Sequence, residues 1–168
     1  MYSKIKIAGH PIHPMLIAFP VAFYTTTVVL FCAYALGAGA IWYQVAVYAN
    51  VAGVITAIVA ALPGFLDWAL GIPKGTAAKR TGLMHMTLNV VALVLFAINA
   101  LLQWPHRLES APPVGMSVAL PLVGILLTLA AGWLGWSLVQ KHHVGVTLTS
   151  EQERIEPLPR PSRTRAPA

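Results

Sequence analysis

Histidine is the residue type in this chain that suggests chemistry, because a neutral imidazole binds haem iron and transition metals. Of the six histidines, His85 is the one that lies well inside an apolar run. Asn89 follows four residues later, on the same face of a helix, where it could orient the second ring nitrogen of His85. An ionisable side chain in a membrane span faces the bundle interior with a partner. His85 is therefore the first candidate ligand; the alternative is a structural hydrogen bond, for example to Asp67.

Two further histidines are expected on the same side of the protein as His85. His13 lies in a Gly-His-Pro-Ile-His-Pro motif at the start of the first apolar run, where it could be a ligand or could cap the helix. His142 directly follows the fourth run, so its side chain could point back at His85 or interact with the helix dipole. The residues predicted to bind haem are therefore His85, His13, His142 and Asn89.

Asp67 is the acidic residue expected at a similar depth. It lies about one turn before the end of the second apolar run. Its carboxylate could ligate a metal, or it could form a salt bridge with Arg80 or Lys79 across a short loop. The predicted metal ligands are His13, His85, His142 and Asp67.

Composition shows which kind of protein must position these side chains. Of the 168 residues, 57% are hydrophobic and only 10% are charged, and no charged residue lies between Lys6 and Asp67. A soluble domain typically has about a quarter charged residues. We therefore expect an all-α membrane protein. The net charge of +6 comes from segment ends and the tail, which does not favour nucleic-acid binding.

Four apolar runs are long enough to cross about 30 Å of hydrocarbon as helices. Residues 1–146 are thus predicted to form a four-transmembrane-helix bundle, and the polar, proline-rich residues 147–168 a disordered cytoplasmic tail. The predicted helices cover residues 14–36, 42–70, 82–104 and 118–139.

Charge distribution predicts the orientation. With four helices, the N-terminus, the 71–81 connection and the C-terminus share one side, which carries ten of the eleven Lys and Arg residues. Basic residues accumulate in cytoplasmic loops. We therefore expect a bacterial inner-membrane protein with both termini in the cytoplasm.

Internal spacing favours two repeated helical hairpins. Gly53 and Gly64 are eleven positions apart, as are Gly124 and Gly135. A histidine precedes these pairs by 40 and 39 positions. Small residues also recur every four positions, which predicts close helix packing. They are Ala49, Gly53, Ala57 and Ala61 in the second run, and Gly124, Thr128 and Gly132 in the fourth.

A series of motifs over residues 8–146 resembles the bacterial predicted membrane proteins of domain of unknown function 2231. In order, the motifs are Gly9-His10-Pro11-Ile12-His13-Pro14, Phe19-Pro20, Gly64-Phe65-Leu66-Asp67, His85, Gly132-Trp133-Leu134-Gly135 and Lys141-His142-His143-Val144-Gly145-Val146. The resemblance implies a four-helix membrane domain without an established activity. Some relatives are fused to Rieske iron–sulfur domains, which implies electron transfer. The family-like histidines are His13, His85 and His142; His143 stands where relatives have glycine.

The leading functional hypothesis is a small redox subunit that binds a b-type haem (haem b) near the cytoplasmic face and exchanges electrons with quinol and a partner such as a Rieske-type protein. No Cys-x-x-Cys-His motif for covalent haem attachment is present. The alternatives are a His/Asp transition-metal site and a cofactor-free membrane scaffold. No nucleophile–base pair is visible, so enzyme activity stays undecided. The sequence also does not indicate an oligomeric state.

Overall fold

The computed structural model describes residues 3–146 and 149–155. In this part of the chain, four long helices carry most of the structure, and α2 packs mainly on α3 while α4 packs mainly on α5. The elements are β1 (Lys6–Ile7), β2 (His10–Pro11), α1 (Ile12–Leu16), α2 (Ala18–Ala35), α3 (Ala40–Gly71), α4 (Ala77–Gln103), α5 (Met116–Gln140) and α6 (Ser150–Ile155).

The described residues include four helical segments that are long and apolar enough to cross a membrane: α1 with α2, and α3, α4 and α5 singly. Large apolar side chains point outward from these helices, and Trp133 on α5 is 70% exposed. An apolar outer surface on helices of this length is typical of a protein that lies in a membrane. The prediction of an all-α, four-helix integral membrane protein is confirmed, and its outer surface contacts lipid.

The bundle has two ends that differ in charge. The basic end holds the N-terminal segment, the connection between α3 and α4, and the end of α5. The loop end holds the connections α2–α3 and α4–α5. The end of α2 contacts the α4–α5 connection there, since the Tyr34 hydroxyl donates to the Pro112 carbonyl at 2.7 Å.

The first predicted helix is interrupted. The segments α1 and α2 meet at Ile17, which keeps helical backbone angles and whose N–H still bonds to the His13 carbonyl at 3.2 Å. Pro20 lacks the N–H that would bond to the Leu16 carbonyl, which explains why α1 ends at Leu16. The predicted span 14–36 also began too late, since α1 starts at Ile12.

Helix α4 begins at Ala77, five residues before the predicted start at 82. The Thr76 side chain caps it by accepting a hydrogen bond from the Lys79 backbone N–H at 3.1 Å. Lys79 and Arg80 therefore lie in the first turn of the helix, where hydropathy alone placed a loop.

The short elements near the chain ends were not predicted. Strands β1 and β2 form a hairpin whose turn residues, Ala8 and Gly9, have φ values of 48° and 84°. At the other end, the described part of the predicted disordered tail contains the helix α6. Its last turn carries Arg154, which complements the helix dipole. Residues 147–148 and 156–168 lie outside the described residues.

The helices α1, α2 and α3 form a first helical hairpin and α4 and α5 a second, and the two hairpins meet at a buried aromatic pair. Tyr24 of α2 stacks on Phe96 of α4, with ring centroids 3.6 Å apart and planes within 1°. Each ring also lies against a glycine of its own hairpin: Tyr24 against Gly53, and Phe96 against Gly124. The spacing that suggested a repeat thus corresponds to the same aromatic-on-glycine contact in both hairpins.

The small-residue stripes turn away from the interior. Gly132 and Ala61 are exposed, whereas Ala131 and Ala60 are buried. A helix repeats every 3.6 residues, so a strict spacing of four drifts around its surface. The predicted close packing holds near Gly53, but the stripes have left the core at their far ends.

Candidate functional site

His13 and His85 face each other near the basic end of the bundle. Their ring centroids are 6.4 Å apart and their planes are 85° apart. His13 belongs to α1 in the first hairpin, and His85 to α4 in the second. Both are half-buried. The structure therefore brings together two of the three predicted histidines, from elements 72 positions apart in sequence.

The two rings are held by equivalent hydrogen bonds. His13 Nδ1 is 2.8 Å from the Ala60 carbonyl oxygen, and His85 Nδ1 is 2.8 Å from the Ala131 carbonyl oxygen. Since a carbonyl only accepts, each bond requires a proton on Nδ1. In the neutral tautomer Nε2 then carries the lone pair. An imidazole whose Nδ1–H donates to a backbone carbonyl is oriented to bind a metal through Nε2.

A glycine one turn beyond each alanine makes room for the ring. A Cβ atom on Gly64 would lie 2.7 Å from His13 Nδ1, and one on Gly135 would lie 3.0 Å from His85 Cε1. Neither position accepts a methyl group without movement of the ring. The set of histidine, carbonyl and glycine therefore occurs twice, once in each hairpin.

His13 does not have the capping role that was its alternative. The N-cap of α1 is Pro11, and His13 lies inside the helix with its ring turned toward α3. The Gly-His-Pro-Ile-His-Pro motif therefore positions His13 in the first turn rather than in front of it.

Asn89 lies beside the His85 ring. Its Nδ2 is 3.3 Å from His85 Nε2 and donates to the His85 backbone carbonyl at 2.9 Å. The bond that orients the ring comes from the Ala131 carbonyl, however, and not from Asn89. Asn89 has no counterpart in the first hairpin, because the residue four positions after His13 is Ile17.

Asp67 does not join the histidines. Its carboxylate accepts hydrogen bonds from Ser3 Oγ at 2.7 Å, from the Lys4 N–H at 2.6 Å and from the Ile5 N–H at 3.0 Å. Its task is to hold the N-terminal segment on α3. The alternative salt bridge is also not formed with Lys79, whose ammonium donates to the Trp68 and Ala69 carbonyls and lies over the Trp68 ring.

His142 lies beyond the pair. It follows Gly135 by seven residues, about 10 Å along the axis of a helix. Within the described residues, no group of three or more His, Cys, Asp or Glu side chains could hold a metal ion. The structure therefore does not bring together the four predicted metal ligands His13, His85, His142 and Asp67. The Asp67 carboxylate binds the N-terminal segment, and His142 lies past the end of α5.

Sequence reasoning missed the Ala60 and Ala131 carbonyls. Every residue has a carbonyl, so no residue type marks these two acceptors. The available signal was the repeat itself, since Ala60 and Ala131 each precede by four positions a glycine of the eleven-residue spacing.

Fold and site together define a class of protein: an integral membrane four-helix bundle with a pair of facing, carbonyl-anchored histidines near one end. The chain belongs to the family described as "Predicted membrane protein (DUF2231)", whose profile matches residues 9–148. This confirms the resemblance found in the motifs. No curated protein and no solved structure matches the chain.

Proposed function

We propose that this protein is a small membrane redox subunit that binds one b-type haem, whose iron His13 and His85 would hold. The observation that carries the proposal is the pair of rings anchored through Nδ1 by backbone carbonyls of opposite hairpins. This anchoring selects the tautomer that ligation through Nε2 requires, and the Asn89 amide, whose Nδ2 is 3.3 Å from His85 Nε2, would have to move aside for iron to bind there.

The donor set fits haem iron better than a bare ion. The His13 and His85 rings come from opposite hairpins and their centroids lie 6.4 Å apart, which supports a ligand shared by both imidazoles. A bare zinc site needs three or four protein ligands. The described residues supply no such group. A porphyrin brings four nitrogens of its own, so two imidazoles complete the coordination of its iron.

The charges at the basic end support the same proposal. Lys4, Arg80 and Lys141 are exposed there. Carboxylates such as haem propionates, and lipid phosphates, are stabilised by such cations. The same charges favour a cytoplasmic location for this end in the bacterial inner membrane.

Bound haem would supply one-electron transfer. His13 and His85 would hold the iron, and their Nδ1–H bonds to the Ala60 and Ala131 carbonyls would make both imidazoles more basic. A single site near one end serves electron exchange at that face. The expected partners are quinol in the membrane and an electron-transfer protein such as a Rieske-type protein.

Absorption spectra of the purified protein, expressed with added haem and recorded oxidised and reduced, test the proposal. We expect a haem band in the wild-type protein and its loss in His13→Ala and in His85→Ala, with each variant still inserted in the membrane. His106→Ala is the matched control, since His106 lies at the loop end, where its Nδ1 is 2.8 Å from Glu109 Oε1.

Other outcomes separate the remaining functions. A protein that binds iron, copper or zinc without haem, and loses it in the same two variants, would favour a metal-binding protein. A wild-type protein with neither haem nor metal after supplementation would overturn the proposal and leave a scaffold.

A further inference from the structure

A second polar region lies on the loop side of the Tyr24–Phe96 stack. Within the described residues, five buried side-chain atoms there have no hydrogen-bond partner: Tyr24 Oη, Asn50 Oδ1 and Nδ2, Asn99 Nδ2, and Ser117 Oγ. Asn50, Asn99 and Ser117 are all 0% exposed. An unpaired polar group costs several kcal/mol in a membrane interior, so this arrangement calls for a partner.

Helix spacing places these residues at successive levels. Asn50 precedes Gly53 by three positions on α3, and Asn99 follows Phe96 by three positions on α4. Because α3 and α4 run in opposite directions, both asparagines lie about one turn from the stack, toward the loop end. Ser117 lies seven positions before Gly124, which is two turns from the stack on the same side.

The region is linked to the protein surface at the loop end. The Tyr43 hydroxyl donates to Gln103 Oε1 at 2.7 Å, and Gln103 Nε2 is 3.5 Å from Asn99 Oδ1. Gln103 also lines a pocket of about 240 Å³ with His106 and Met116. A polar path thus runs from this pocket through Gln103 and Asn99 into the bundle.

Pro121 adds another acceptor to the path. It lies inside α5 and is fully buried. Because proline has no N–H, the Ser117 carbonyl lacks its usual helical donor. Ser117 therefore offers both a hydroxyl and a carbonyl to a hydrogen-bonding ligand.

We propose that this path is a hydrated half-channel, through which water enters from the loop end and reaches Tyr24 at the centre of the bundle. Water suits the site because the unpartnered atoms include donors and acceptors, and a buried water makes about three hydrogen bonds to such groups. The channel ends at the Tyr24–Phe96 stack, whose rings lie 3.6 Å apart and leave no polar atom between them. The inference is independent of the haem proposal, since it uses none of the histidine ligands.

Reactivity of introduced cysteines tests the half-channel, because a thiol reacts through its thiolate and thiolates form in contact with water. Ser117→Cys and Asn99→Cys are made in the full chain with Cys32→Ala, and membrane vesicles of known sidedness are treated with 2-aminoethyl methanethiosulfonate. We expect both cysteines to be modified, detected by mass spectrometry, when the reagent is applied from the loop side.

Ala92→Cys is the matched control. Ala92 is 1% exposed and lies four positions before Phe96 on α4, on the histidine side of the stack. It should stay unmodified during the time in which Ser117→Cys reacts fully from the loop side. The conservative Ser117→Cys variant keeps the test valid if Asn99→Cys fails to fold.

Two results would overturn the half-channel. One is an unmodified Ser117→Cys in a folded, membrane-inserted protein, which would mean that the region is dry. The other is equal modification of Ala92→Cys, which would mean general opening of the bundle rather than a path that ends at the stack.

Discussion

Replacing Gly64 by alanine tests the site at its tightest contact. The added methyl group would lie 2.7 Å from His13 Nδ1 and 2.8 Å from His13 Cε1. The ring must move away, and it then loses its bond to the Ala60 carbonyl. A buried polar group left without its partner costs about 1–3 kcal/mol. The higher helix propensity of alanine stabilises the folded state by about 0.8–1.0 kcal/mol and offsets part of this cost. We expect a net loss of about 0–2 kcal/mol in the free energy of unfolding relative to the wild-type protein, and of about 1–3 kcal/mol relative to a glycine-to-alanine change that displaces no ring.

Gly132→Ala is the control for this substitution. Gly132 also lies inside a long helix, but among the described residues no atom lies within 4 Å of a Cβ built there. The control therefore keeps the gain in helix propensity without displacing a ring, and its stability should equal or exceed that of the wild-type protein. Denaturant titration in detergent micelles, followed by circular dichroism, measures both variants.

A second measurement connects the substitution to the proposed function. If His13 holds the haem as proposed, Gly64→Ala should weaken or abolish the haem absorption that Gly132→Ala retains. The reasoning is refuted if Gly64→Ala matches Gly132→Ala in stability, since His13 would then not be held against Gly64 by the Ala60 carbonyl.

Further predictions concern the elements around the site. Asp67→Ala removes the acceptor of the Lys4 and Ile5 backbone N–H groups. Hydrogen exchange in the N-terminal segment that contains β1 and β2 should therefore be faster in Asp67→Ala than in the wild-type protein, and unchanged in the control variant Glu109→Ala. Tyr43→Phe should destabilise the protein by about 0.5–1.5 kcal/mol, because it removes the hydroxyl that bonds Gln103, while the exposed Tyr48→Phe should change stability little. Reporters fused at the C-terminus and in the α4–α5 connection should report opposite sides of the membrane; a C-terminus outside the cytoplasm would contradict the orientation.

Much of the architecture could be read from the sequence. Long uncharged runs have one stable environment, so hydropathy alone predicts four membrane helices. Their ends were less predictable, because local chemistry decides them: Pro20 interrupts the first helix, and the Thr76 cap extends α4 to include two charged residues. The position of His85 within an apolar run also predicted that it would need a partner inside the bundle.

The sequence could not assign partners to the ionisable residues. His13, His142 and Asp67 share one end of the protein with His85, and their depth suggested a single cluster. Depth along a helix leaves rotation about its axis open. In the structure, the His13 ring lies near the His85 ring, and the Asp67 carboxylate accepts hydrogen bonds from the N-terminal segment. His142 lies past the end of α5.

The sequence by itself determined that this chain is a membrane bundle of four helices with a histidine that must face inward, because hydropathy and the cost of burying an ionisable group depend on residue type. Only the tertiary structure decided that His85 faces His13 and that each ring is anchored by a carbonyl. These contacts join residues 46 to 72 positions apart. They depend on how helices are rotated against each other, and a backbone carbonyl has no side chain to mark it in the sequence.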